Sequence, residues 1–173
     1  MSGITDRPHL FPSDLTGLTV LDVGGYDGKA ARYCLDRGAE KATVVDSEQW
    51  RKYGWNGPTR EQGPTFVTMD ILDWVEPADV VICSNVCYHV QNPWLFLAHL
   101  RELTIASLLL HTWIIEGDRD YWQIYTPGDG HKGSPTVVWR PMVPALGKLL
   151  VNVGFPDVAV LEQLGEHVSM LCR

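Results

Sequence analysis

Val20-Leu21-Asp22-Val23-Gly24-Gly25-Tyr26-Asp27-Gly28 is the stretch on which the fold turns. Its first half is aliphatic, as expected of a parallel strand buried on both faces, and its second half holds three glycines in five positions. A glycine turn at a strand's carboxyl end lets backbone approach a ligand without Cβ interference. Extended back to Leu18, the run gives a first strand, Leu18 to Val23. A helix should follow, because Ala31, Cys34 and Leu35 share one helical face and Gly38 supplies a stop.

Outward from this stretch, apolar runs alternate with helical patterns, the signature of a doubly wound α/β sheet. Lys41 to Val45 ends at Asp46, Thr65 to Met69 ends at Asp70, and Ala78 to Ser84 makes a fourth run. Between the second and third, Arg51 to Pro64 reads as a short helix or loop. Asn92 and Pro93 form an N-cap and first position for a helix from Pro93 to Leu103, on which His99 reads as a surface residue. A fifth run, Ser107 to Ile115, leads into the polar, glycine-rich segment Glu116 to Ser134, long enough to predict a functional role. Pro144 to Asn152 predicts a helix with Leu146, Leu149, Leu150 and Val153 inward, stopped by Gly154. Asp157 to Leu161 and Val168 to Cys172 predict an antiparallel edge pair. The expected architecture is a Rossmann-like sheet of about seven mostly parallel strands whose last pair is antiparallel, in one domain over residues 1–173 with 1–16 as a short extension.

Composition fits that picture. The chain has 173 residues, 45% hydrophobic and 20% charged, with seven Trp, six Tyr and a formal charge of −7. That charge argues against a broad basic surface for phosphate backbones, although a local patch remains open. Cys34, Cys83, Cys87 and Cys172 form no CxxC pair and read as reduced, buried thiols. No apolar run approaches the ~20 residues of a membrane span, so a cytoplasmic protein is expected.

In an open parallel sheet, ligands bind beyond the strands' carboxyl ends where strand order reverses. Asp22, Asp46 and Asp70 stand at or near such ends. A carboxylate at the end of the second strand can accept both hydroxyls of a ribose, which suits Asp46. Counting back from Gly28-Lys29 reaches Val23 where a phosphate-binding loop needs glycine, and no G-x-G-x-x-G threads through Gly24, Gly25 and Gly28. Nucleoside triphosphates and nicotinamide dinucleotides are therefore disfavoured.

The glycine stretch resembles the first motif of class I S-adenosylmethionine-dependent methyltransferases, acidic-x-Gly-x-Gly-x-Gly, with Tyr26 where the middle glycine usually falls. The likeness continues through Val45-Asp46-Ser47, Met69-Asp70-Ile71 and Ala78 to Val90. Tyr88-His89-Val90 with Asn92-Pro93, Gly117-Asp118 with Pro127-Gly128-Asp129, and Val138-Trp139-Arg140-Pro141 through Val158 are similar to the tRNA wobble-uridine carboxymethyltransferase family. This resemblance covers roughly residues 17 to 165. It implies S-adenosylmethionine as cofactor, held by Asp22, Gly24, Gly25, Tyr26, Gly28, Asp46, Ser47, Trp50, Asp70, Ile71, Ser84 and Asn85. Those tRNA enzymes carry a sizeable N-terminal region, whereas about sixteen residues precede the first strand here. Methylation of a small-molecule acceptor at O or N is therefore the expected activity; a tRNA-modifying carboxymethyltransferase and a nonenzymatic S-adenosylmethionine-binding protein are the alternatives.

On the acceptor side, His89 follows the fourth strand and reads either as a general base or as a loop histidine bonding backbone. Tyr88, His111, Trp139 and Arg140 are the candidate acceptor-binding residues, with Arg140 suited to an anionic group. His111 and Trp139 read equally as core, and Arg140 as an exposed strand end. Trp50 either flanks the adenine or simply packs. Glu116, Asp118 and Asp120 read as solvated carboxylates, and no metal site is expected.

Overall fold

The computed structural model describes residues 4–47, 63–125 and 136–173. Strands β1 (Thr19–Val23), β2 (Lys41–Asp46), β3 (Thr65–Thr68), β4 (Ala78–Ser84) and β5 (Thr104–Trp113) are joined by helices α1 (Lys29–Leu35) and α2 (Pro93–Leu103). Then come β6 (Trp122–Ile124), β7 (Trp139–Pro141), α3 (Val143–Asn152), β8 (Val158–Leu164) and β9 (His167–Cys172). The main sheet runs β3-β2-β1-β4-β5-β9-β8. β1 to β5 pair in parallel, and β9 runs antiparallel to both β5 and β8. The Rossmann-like expectation holds, including its antiparallel last pair.

Strand alternation divides the apolar side chains between two faces. Val20, Val44, Ile82 and Leu109 pack with Ala30, Ala31 and Cys34 of α1. Leu21, Val45, Val81, Leu108 and Leu110 pack on the other face with Phe96, Leu97 and Leu100 of α2 and Leu146, Leu149 and Leu150 of α3. The residues expected to be a mere extension contribute Ile4, Leu10, Phe11 and Leu15 to the α1 face, all buried.

Local signals set the element ends. Gly38, at φ +90°, closes α1 by donating its N–H to the Leu35 carbonyl at 3.0 Å. Asn92 caps α2, its side chain accepting from Leu95 N–H at 3.1 Å. β5 begins at Thr104, three residues earlier than expected, because α2 passes into the strand without a loop. The Thr104 hydroxyl closes that junction on the Leu100 carbonyl. β6 and β7 form a separate two-stranded sheet that the sequence did not announce. His99 is no surface residue: its Nε2 lies 2.9 Å from the carbonyls of both Ile71 and Trp74, fastening the β3–β4 connection to α2. Residues 51 to 62, and 126 to 134 of the glycine-rich segment, lie outside the described residues.

Candidate active site

β1 lies between β2 and β4, so successive crossovers leave it in opposite directions and open a crevice beyond its carboxyl end. The chain turns there through Gly24 at φ +63° and Tyr26 at φ +46°. A Cβ on Gly24 would stand 2.3 Å from Val86 Cγ2, and one on Gly25 would stand 2.4 Å from Asp22 Oδ2. Neither position has room for a side chain. Tyr26 is held in its left-handed conformation by its own N–H, which donates to Asp46 Oδ2 at 2.9 Å. The same bond ties the glycine turn to the end of β2.

Asp22 sits behind this turn. It is 2% exposed and accepts the Ala31 N–H at 3.1 Å, joining β1 to α1. Burial pushes its carboxyl up to about 7, with the nearby Asp46 and Asp27 charges adding to the rise. Burial also raises Asp46 from its ordinary value, against the lowering effect of N–H groups from Tyr26 and Ser47.

A cavity of about 840 Å³ opens at the crevice, a size in the range of small-molecule sites. Of the residues expected to hold a cofactor, Gly24, Tyr26, Asp46, Ser47, Asp70, Ile71 and Asn85 line it. Asp22, Gly25, Gly28 and Ser84 are not on its wall; Asp22 and Gly25 face each other within the turn, and Gly28 packs against Phe66 and Pro64. Trp50 is outside the described residues. Asp70 caps a short 3₁₀ turn, Ile71–Asp73, by accepting Leu72 N–H at 3.0 Å, and Ile71 and Leu72 stand on the cavity wall.

Past β4, a 3₁₀ turn over Cys87–His89 sends successive side chains in opposite directions. Tyr88 goes inward, 1% exposed, and stacks on Trp113 with centroids 4.9 Å apart. His89 goes outward to the cavity rim, where its Nδ1 lies 2.8 Å from the Thr136 carbonyl. A carbonyl only accepts, so Nδ1 carries the proton and Nε2 keeps its lone pair. Partial desolvation holds the imidazole below its ordinary value of 6.5, outweighing the Thr136 bond.

None of the other four acceptor-side candidates lines the cavity, and His111 and Trp139 take the core positions that the sequence also allows. Tyr88 is packed against Trp113. His111 is 1% exposed and occupied with Ser169 Oγ at 2.9 Å and Arg7 Nη1 at 3.4 Å. Trp139, 2% exposed, donates its indole N–H to the Val90 carbonyl at 3.0 Å and packs beside Trp122. Arg140 is no exposed strand end: it is 3% exposed, pairs with Glu166 at 3.0 Å and donates to the Ile114 carbonyl. Thr136 and Val138 line the cavity instead, together with Val86, Val90 and Phe96. Sequence reasoning chose the large and charged residues of Val138-Trp139-Arg140, and in the structure bulk and charge went to the interior. Asp120 pairs with Lys148. Among the described residues no group of three His, Cys, Asp or Glu side chains is placed to hold a metal.

An open α/β sheet with a glycine turn, a carboxylate ending the second strand and a cavity at the switch point defines a nucleoside-binding class of fold. Residues 4–160 match the methyltransferase domain family, and the chain belongs to it. It is 29% identical over 167 residues to the tRNA U34 carboxymethyltransferase of Chromohalobacter salexigens, matching 90% of this chain and 49% of that protein. The chain thus spans about half the length of this curated relative. Among solved structures it is similar to an S-adenosylmethionine-dependent methyltransferase from Mesorhizobium loti, with TM-score 0.72, 16% identity and 98% and 97% of the two chains covered. It is likewise similar to human N-acetylserotonin methyltransferase in complex with S-adenosylmethionine, with TM-score 0.72, 19% identity and coverage of 98% and 51%. No described helix is long and apolar enough to cross a membrane.

Proposed function

We propose that the chain is an S-adenosylmethionine-dependent methyltransferase acting on a small-molecule acceptor at oxygen or nitrogen. The observation that carries this reading is that Asp46, the glycine turn and His89 share one cavity at the strand-order switch. Gly24 and Gly25 leave a cradle that a Cβ would fill, which fits a ligand lying against backbone. Asp46 would take the ribose hydroxyls, Ile71 and Leu72 the adenine face, and the turn between β1 and β4 the amino-acid end. When bound, S-adenosylmethionine supplies an electrophilic methyl group on a sulfonium.

The chain's part is then positioning, exclusion of water and one proton. Positioning supplies much of the acceleration in such transfers. Val86, Val90, Phe96 and Val138 give the cavity an apolar wall beside His89. His89 Nε2 would accept the proton leaving the acceptor's O–H or N–H group. The human neighbour's name supports a small hydroxylated or amide-bearing acceptor, whereas the Chromohalobacter relative supports RNA and a carboxylated cofactor. Among the described residues the cavity wall holds Asp46 and Asp70 but no Lys or Arg, which favours the cofactor without the extra carboxylate. All four cysteines are buried free thiols, which supports a reducing, cytoplasmic setting.

Direct competition tests this choice. S-adenosylmethionine should displace its carboxylated analogue from the protein and be converted to S-adenosylhomocysteine when acceptors are screened. Tighter binding of the carboxylated form would move the reading to carboxymethyl transfer, and binding with no turnover on any acceptor would reduce the protein to a binding module.

A further inference from the structure

Asn85 is the residue at which β4 stops being a strand, and two features set it apart from the rest of the cavity wall. Its backbone is left-handed, φ +60°, with its N–H donating to the His111 carbonyl at 2.8 Å. Its Oδ1 is shut away from solvent and has no hydrogen-bond partner, alone in this among the described side chains lining the cavity. Glycine would adopt this backbone at least cost; asparagine tolerates it and adds an amide. An amide oxygen left unpaired in the interior is unfavourable, and a turn of the side chain toward the cavity would offer it to a ligand donor.

The position of Asn85 indicates which donor. β1 and β4 are paired through Val23 and Cys83, and just beyond that pair Val86 abuts Gly24, so Asn85 flanks the glycine turn. Asp46 and Asp70 lie at the far side, at the ends of β2 and β3. With the adenosyl half of the ligand at those carboxylates, its amino-acid half falls between the ends of β1 and β4. The ammonium there carries three N–H donors and needs acceptors. Asp22 does not serve: it lies behind Gly25, already bonded to Ala31 N–H, and its burial favours the neutral acid.

We infer that the Asn85 side-chain oxygen accepts a hydrogen bond from the α-ammonium of the bound cofactor and so fixes the orientation of its amino-acid end. The inference rests on the reading of the cavity as an S-adenosylmethionine site. Asn85 is a positioning and specificity residue in this scheme: it distinguishes a ligand with an α-amino group from one without, and by anchoring one end it constrains where the sulfur lies relative to His89.

Binding alone tests it, with two probes: S-adenosylhomocysteine and the analogue in which hydrogen replaces the α-amino group. Asn85→Gly keeps the left-handed backbone and removes the amide; Asn85→Asp keeps the shape and adds a charge. The parent should bind S-adenosylhomocysteine about 10–100-fold more tightly than the deaminated analogue, the scale of one hydrogen bond to a charged group. Asn85→Gly should lose that preference by weakening only the aminated ligand, and Asn85→Asp should retain it with stronger salt dependence. Thermal melts of both variants show whether the fold is intact. Equal weakening of the two ligands by Asn85→Gly, or of neither, overturns the inference while leaving the cavity assignment standing; an amide serving the acceptor instead would give the second of these results. A parent that binds neither probe overturns the cavity assignment and this inference with it.

Discussion

His89→Ala is expected to lower turnover by about 10²–10⁴-fold, the usual range for a lost acid–base catalyst, while leaving S-adenosylhomocysteine affinity nearly unchanged. The expectation rests on the ring's fixed tautomer. Thr136 offers Nδ1 a carbonyl at 2.8 Å, so the available lone pair is on Nε2, at the rim of the cavity. Desolvation holds the imidazole's pKa below 6.5, which keeps it in the basic form at neutral pH. The parent rate should therefore rise with pH along a limb centred below 6.5 and be flat above it, and His89→Ala should lose the limb. The same shift acts on stability. A histidine whose folded pKa is depressed contributes fully above its unfolded value near 6.5, and that contribution is lost as pH falls toward the folded value. If His89 only ties the turn to Thr136, the variant will melt earlier but keep the parental pH profile and most of its turnover.

Trp139→Ala is expected to cost about 3–5 kcal/mol of stability, the range for truncating a large buried aromatic side chain. Trp139 is 2% exposed, its indole N–H satisfies the Val90 carbonyl, and its ring fills the space beside Trp122. For a chain of this size the loss corresponds to roughly 6–20 °C in melting temperature. Chemical and thermal unfolding measure it directly. A drop of only a few degrees accompanied by loss of acceptor binding would return Trp139 to the cavity wall, where the sequence had also allowed it.

The cofactor side was legible because its determinants are local. A strand end, a glycine turn and a carboxylate ending the next strand lie in order along the chain, and parallel pairing brings Val23 beside Val45 and Cys83 without further information. The acceptor side was not, because it depends on which way a side chain points. Between Thr136 and Arg140 the order of exposure is set by β7 pairing with β6, a three-residue strand whose Tyr121-Trp122-Gln123-Ile124-Tyr125 setting is strand-like but too short to name its partner or its face. Once Trp139 turns inward against Trp122, Val138 is left to the cavity, and the sequence alone fixes neither direction. Arg140 shows the same limit. A lone arginine near a site suggests an anionic ligand, yet its partner is Glu166, 26 residues away on the turn leading into β9. His99 obeys the same limit: a mid-helix histidine reads as solvated from sequence, whereas the distant β3–β4 connection presents two carbonyls to it.

Titration calorimetry of S-adenosylmethionine against the parent and Asp46→Ala decides whether Asp46 holds the ribose of the cofactor in this cavity. The parent should bind, and the variant should bind more weakly by about 1.5–3 kcal/mol, the cost of losing charge-assisted hydrogen bonds. Melting curves should show the variant folded, since Asp46 is only partly buried and its described protein bonds are to the neighbouring turn and Ser47. A variant that binds S-adenosylmethionine as tightly as the parent would remove Asp46 from the ribose site, and a parent that does not bind it would remove the cofactor from this cavity.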